Sequence, residues 1–446
     1  MLTSLICHFY LQTSKYANIA HIMMEDAQKK SLFISSYAPP AIGGPQNLYT
    51  LLRDAPRSSY AILTSFYNID NFSARKGLWL SGEYFFYDHP SKTKKERIIL
   101  AEKNDNKTNM LQAIKMAVKR INWLKTLLGI PIIFVQMAMI ARAGPKIVRK
   151  LKADNIVAVS DYGPAMIGGY ITHKKTGKPL ILFMFDLYKG NYLPFPGGIL
   201  ASIYEPIIFR DAKEIIVTNE GTKDFYIKRY GKNIGDKITV IYNSVFQENY
   251  EKDLVAKNDN PKSLYSIVYT GRIYWPQLSS IKNLISALGT NNINADLNIY
   301  SPNPKKYLLN LGIKEGKNVK INSAPPEKMP EIQESADILF LPLSWHTKGQ
   351  QIIDTATPGK LTDYLIAGKP ILIYAPASSF LVKYARENNF AAVVDQENSK
   401  QLEEVINKLL TDLDWRKELV ENARKTFFKN HSAKINSKVL QKTLTR

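Results

Sequence analysis

From residue 31 onward the chain alternates short apolar runs with stretches of helical period. That rhythm admits few folds besides parallel sheets covered by helices on both faces. A first series reads as strands at residues 31–36, 156–160, 179–185, 214–218 and 238–241, with helices at 47–53, 164–170 and 222–230. A second reads as strands at 266–270, 296–300, 319–321, 338–342, 370–374 and 391–394, closing in helices at 400–411 and 415–428. Between the two series, residues 243–262 turn polar and lose all periodicity, the natural domain boundary. A chain of 446 residues is also too long for one ordinary core, so two domains of roughly 200 residues each are expected. Two doubly wound, Rossmann-like domains in tandem leave an interdomain cleft at the carboxyl ends of their strands, where ligands bind in such sheets.

Charge narrows the partners. Lys and Arg number 60 against 39 Asp and Glu, a net +21 that favours an anionic partner. Nucleic acid, an anionic membrane and a nucleotide diphosphate all qualify; no helix-turn-helix, zinc-finger or RNP-like pattern is present, so no nucleic acid is expected. The single cysteine, Cys7, excludes an internal disulfide and fits a reducing compartment. The most apolar stretch, residues 123–141, is interrupted by Lys125, Gly129, Pro131 and Gln136, and reads as two amphipathic pieces rather than a membrane span. Basic residues flank it, Lys115, Lys119, Arg120 and Lys125 before and Arg142, Lys146, Arg149 and Lys150 after. Peripheral contact with an anionic membrane is therefore expected, at the cytoplasmic, inner face. The apolar run at 5–11 is too short for a span and lacks a basic lead, so no secretory signal is expected. Residues 1–23 are expected to be dispensable, Met24 offering another start.

The chemistry concentrates at residues 357–374. Thr357 is placed to cap a helix, Pro358 sits where a missing N–H costs nothing, and Gly359 lets a ligand approach the backbone amides, an arrangement suited to phosphate. Asp363 follows about one turn later, within reach of a sugar diol. The helix stops at Ala367, Gly368, Lys369 and Pro370, and an apolar strand follows. An ordinary capped αβ unit has the same spacing.

Pro358, Lys360, Leu361, Asp363, Tyr364, Ala367, Gly368, Lys369 and Pro370 together resemble the nucleotide-sugar motif of the family-4 retaining glycosyltransferases, enzymes of the GT-B fold, with Asp363 at an acidic position usually held by Glu. Further pieces fall in that family's order: Gly43 and Gly44 after the first strand, Gly271 and Arg272 at mid-chain, and the run Ala336, Asp337, Ile338 to Pro342 before the motif. The resemblance covers the chain from about residue 31 on. It implies an N-terminal extension at 1–30, an acceptor-side domain at 31–250, a nucleotide-sugar-binding domain at 251–415, and terminal helices at 416–446 crossing back to the first domain. The activity implied is transfer of a sugar from a nucleotide-sugar donor, UDP- or GDP-linked, to a glycan, lipid-linked or polysaccharide acceptor. Transfer would occur with retention and without a metal or other cofactor.

Carried onto this chain, the resemblance makes Arg272 and Lys360 the catalytic cations on the leaving diphosphate, and Gly43, Gly44, Thr355, Thr357, Gly359 and Asp363 the donor-binding residues. Asp161 and Asp186 are acceptor-side candidates at strand ends, where a capping role is the ordinary alternative; for the two glycines it is a tight turn. Three departures stand out. No Lys follows Arg272 closely, which leaves the second positive charge to Lys360. Thr355 occupies the first position of the family's Glu-x7-Glu pair, and Phe185 stands where the family has His. Asp412 and Asp414 imitate an Asp-x-Asp metal motif but lie at the head of a polar helix, and no metal is assigned. Two other readings stand beside it: a non-catalytic nucleotide-sugar-binding partner of a glycan-assembly complex, which the missing Glu and His favour, and a GT-B sugar-nucleotide epimerase, which would need acidic and His residues around the sugar C2 that the sequence does not show.

Overall fold

The computed structural model describes residues 29–41, 44–70, 74, 78–103, 122–160, 163–193, 195–250, 262–290, 292–345 and 347–446. Seven strands form the first sheet: β1 (Ser31–Ile34), β2 (Tyr60–Thr64), β3 (Glu83–Phe86), β4 (Asn155–Val159), β5 (Leu180–Met184), β6 (Glu214–Val217) and β7 (Ile238–Val240). They are ordered β3-β2-β1-β4-β5-β6-β7. Six strands form the second: β8 (Tyr265–Thr270), β9 (Ala295–Tyr300), β10 (Val319–Asn322), β11 (Ile338–Pro342), β12 (Ile371–Tyr374) and β13 (Ala392–Val394), ordered β10-β9-β8-β11-β12-β13. The pairs flanking β1 and β8 are parallel, and both orders reverse direction there, between β1 and β4 and between β8 and β11. At such switch points the two neighbouring loops diverge and open a crevice.

The strands are what a sheet covered on both faces requires. β2, β4, β5, β11 and β12 are buried at every residue. β3, at an edge, alternates instead, with Glu83 exposed and Tyr84 and Phe86 buried.

By internal contacts the chain divides into two compact units. One holds the described residues up to Tyr188, with Leu193–Ile216 and Val439–Arg446; the other is Lys189–Tyr192 with Val217–Lys438. In the first, the end of the last helix, Ala433–Thr445, returns to the sheet: Asn155 Nδ2 donates to the Leu444 carbonyl at 2.6 Å, and Arg446 pairs with Glu214 at 3.5 Å. In the second, the linker after β7 is tied to the C-terminal segment. Val245 bridges Ser432, and buried His431 sits between the Asn243 carbonyl (2.9 Å) and the Tyr384 hydroxyl (3.0 Å). Burial pushes the His431 imidazole down to about 4, so it is neutral at physiological pH.

One expectation is corrected in the first unit. Residues 123–141 are not two pieces: a single helix, Asn122–Leu151, runs through Pro131. Tertiary packing overrides the lost hydrogen bond, because this helix lies very close to Pro164–Thr176. A Cβ on Gly168 would sit 2.4 Å from Ile140, and one on Gly144 would sit 2.3 Å from Thr172, so both glycines are required by the approach. Among the described residues no helix is long and apolar enough to cross a membrane.

Candidate donor site

In the second unit the site is built around the end of β8. Gly271 follows the strand with φ +111°, a backbone conformation that side chains resist, and turns the chain so that Arg272 emerges exposed at the switch point. Lys360 fills the space this glycine leaves: a Cβ on Gly271 would lie 3.1 Å from Lys360 Cε. The ammonium donates to the Tyr269 hydroxyl at 2.9 Å, and that hydroxyl donates onward to the Arg272 carbonyl at 2.7 Å. Burial pushes the Lys360 ammonium down to about 7 and the Tyr269 phenol well up.

The helix bearing Lys360 is shorter than expected, Lys360–Ile366, and starts later. Its N-cap position is Gly359, with no side-chain cap, so Thr357 does not cap it. The turn opens instead with the Leu361 N–H on the Pro358 carbonyl at 2.9 Å, and the buried Thr357 hydroxyl has no partner. Gly359 is exposed, with open space where a Cβ would point. The helix ends where expected, at Gly368 with φ +69°.

Asp363 lies one turn in. Its Oδ1 accepts from the Tyr250 hydroxyl at 2.6 Å; burial raises the carboxyl to about 6 and this hydrogen bond opposes the rise. Tyr250 also lies 3.1 Å from Gln333 Oε1, Gln333 Nε2 donates to Thr270 Oγ1 at 3.2 Å, and the Thr270 N–H donates to the Tyr364 hydroxyl at 2.9 Å. Asp363 and Tyr364 are adjacent, so the network is a ring joining the helix, the linker and the end of β8.

Thr355 is buried at the end of the helix Gln350–Thr355. Its hydroxyl donates to the Gln351 carbonyl at 2.8 Å, and its own carbonyl accepts from Asn219 at 3.0 Å. It lines a separate cavity of about 650 Å³ in the same unit, with Glu220, Lys228, Tyr242, Phe380 and Lys383, which Arg272, Lys360 and Asp363 do not line. Asp412 accepts from the Trp415 N–H at 3.0 Å as a helix cap.

In the first unit, Gly44 opens the helix Gly44–Leu52 after β1, and the Phe185 ring covers it, 3.3 Å from where a Cβ would be. Ser160, after β4, accepts from the Phe185 N–H at 2.9 Å, and Asp186 is exposed just beyond β5. Gly43 and Asp161 lie outside the described residues. The site residues thus form two groups, Arg272, Gly359, Lys360 and Asp363 in one unit and Gly44 and Asp186 in the other. Sequence reasoning missed Tyr250, Gln333 and Tyr269. Tyr269 could be found as the residue two before Gly271 in an apolar strand; Tyr250, in an aperiodic linker, gives no signal.

Two doubly wound parallel sheets of this order make the chain a two-domain α/β protein of the GT-B fold. Residues 252–426, within the second unit, match the model of the family described as glycosyl transferases group 1. No curated protein matches the chain as a sequence relative. Among solved structures, HepE of Anabaena in complex with UDP and glucose is similar at TM-score 0.62 and 13% identity, over 94% of this chain and 100% of that one. Sucrose-phosphate synthase of Thermosynechococcus elongatus is similar at TM-score 0.62 and 12% identity, over 93% of this chain and 98% of that one. A UDP-N-acetylglucosamine 2-epimerase is similar at TM-score 0.53 and 13% identity, over 94% and 95%.

Proposed function

We propose that the chain is a nucleotide-sugar-dependent glycosyltransferase. It moves a hexosyl group from a UDP- or GDP-sugar to a glycan, lipid-linked or polysaccharide acceptor, with retention and without a metal. The observation that carries this reading is Lys360 packed over Gly271 and tied through the Tyr269 hydroxyl to the backbone of exposed Arg272, with Asp363 one helical turn away. As the glycosidic bond breaks, charge builds on the departing diphosphate, and two preorganised cations stabilise that charge more than they stabilise the bound donor. Asp363 accepts from the ribose hydroxyls. The buried hydroxyl of Thr357, without a partner in the turn that precedes Lys360, is an orphan that a bound donor satisfies. With retention, the leaving phosphate takes the acceptor proton on the same face of the sugar, so no side-chain nucleophile is required.

Gly44 and Asp186, with Gly43 and Asp161, serve the acceptor side. The proposed division of labour is acceptor binding by 31–250 and donor binding by 251–415, with 416–446 crossing back. A membrane-bound acceptor is supported by one face of the helix Asn122–Leu151. Exposed Ile132, Val135 and Met139 lead directly into exposed Arg142, Lys146 and Arg149 at spacings of three and four. This pattern suits lying in an anionic interface at the cytoplasmic side.

A second reading, a binding partner without catalysis, draws on Thr355 and Phe185, which supply neither the carboxylate nor the imidazole of the family pattern. Incubation of purified protein with radiolabelled UDP- and GDP-sugars separates the two. Transfer or slow hydrolysis supports the enzyme, and saturable binding without either supports the partner.

A further inference from the structure

We infer that Tyr250 is the positioning residue for nucleotide ribose recognition, holding the Asp363 carboxylate in the one orientation that meets the diol. This rests on the donor-site reading above and names a residue outside its motif. Tyr250 caps the short helical turn Gln247–Asn249 in the linker, and its ring is buried in the core of the second unit. Its hydroxyl reaches both Asp363 Oδ1 (2.6 Å) and Gln333 Oε1 (3.1 Å). One hydroxyl carries one proton, and the shorter contact to a carboxylate is the stronger, so the proton goes to Asp363.

The geometry has a chemical reason. Asp is one methylene shorter than the Glu usual at this position and swings freely about two torsions; a phenol anchored in the core removes that freedom at one oxygen. Oδ1 is thereby committed to the protein and Oδ2 is left for the ligand. Because Gln333 continues from Tyr250 to Thr270, the linker, the carboxylate and the strand end that carries Arg272 form one hydrogen-bonded unit.

Tyr250→Phe tests this, since it keeps the ring and deletes only the hydroxyl. Calorimetry measures the affinities of wild type, Tyr250→Phe and Asp363→Asn for UDP and 2′-deoxy-UDP, and for GDP and 2′-deoxy-GDP. The expected result is that wild type prefers the ribonucleotide by at least about tenfold, the lower end of what a charge-assisted hydrogen bond contributes, and that Tyr250→Phe loses most of this preference. A merely structural loss would weaken both ligands equally and leave their ratio unchanged, and that outcome overturns the inference while leaving the donor site standing. If wild type shows no preference for the ribonucleotide, or binds none of the four, the assignment of Asp363 to ribose fails and the inference falls with it. The variant also moves the acid limb of binding: without the phenol the Asp363 carboxyl rises further, so affinity should begin to fall at a higher pH than in wild type. An unmoved limb likewise counts against the inference.

Discussion

Lys360 Nζ lies 2.9 Å from the Tyr269 hydroxyl and 4.2 Å from the centre of its ring. The phenol stays protonated and gives that proton to the Arg272 carbonyl, so the ammonium meets only a lone pair and a π face. Among the described residues no carboxylate neutralises it. A cation held this way, half-desolvated and unpaired, is ready for an anion.

That readiness predicts proton uptake on binding. Lys360 titrates near 7 in the free protein, so at pH 8 it is mostly neutral; a diphosphate beside it favours the charged form and raises its pKa. UDP binding at pH 8, measured in two buffers of different ionisation enthalpy, should show net proton uptake that disappears in Lys360→Met. Identical binding enthalpies in both buffers would separate Lys360 from the phosphates.

Arg272 is exposed, and its loss should be felt in binding rather than folding. Arg272→Ala should weaken UDP-sugar affinity by at least ~1.5 kcal/mol, the scale of one charge-assisted hydrogen bond, with Tm within a degree or two of wild type. Unchanged calorimetric affinity removes Arg272 from the site.

Asp363 places a stability cost at the same site. Its folded carboxyl titrates near 6 against an ordinary 3.8, so between these values the folded state binds more protons than the unfolded state. Stability from this group is therefore greatest below about 4 and declines as pH rises through 6. Asp363→Asn should melt higher than wild type at pH 7, and the difference should shrink by pH 4.5, while ribonucleotide preference is lost. A variant that melts lower at pH 7 contradicts the account.

The exposed stripe on Asn122–Leu151 predicts salt-sensitive membrane contact. Each cation near an anionic surface contributes about 1 kcal/mol, screened as salt rises. Flotation should show binding to anionic vesicles at low salt, loss at high salt, and weakening in a variant with Arg142, Lys146 and Arg149 all changed to Gln. Equal binding to neutral vesicles would defeat the electrostatic explanation.

The second domain is the more legible because each of its strands holds an apolar run or alternation bounded by polar or turn residues, and all six expected strands agree with the structure within a residue or two. In the first, β1, β4, β5, β6 and β7 were read, whereas β2 and β3 were missed. β2 is as apolar as β1, but the elements after it break the rhythm: β3 is a four-residue edge strand, and the helix Lys94–Lys103 carries no clear apolar stripe. At the site, Arg272, Lys360 and Asp363 were legible because motif spacing fixes them. Thr357 misleads because the cap it suggests lies two residues too early, Gly359 standing at the N-cap and the Pro358 carbonyl opening the turn. Tyr250 was invisible because its role depends on a contact across 113 residues of sequence that no local period encodes.

Gly271 has a consequence for how this chain can vary. A side chain there would be held at a positive φ that L residues resist, and its Cβ, 3.1 Å from Lys360 Cε, would push the end of that lysine away from its place over the turn. A substitution at 271 would therefore act on the lysine as well as on the backbone, so the position of the Lys360 ammonium depends on a residue that has no side chain of its own.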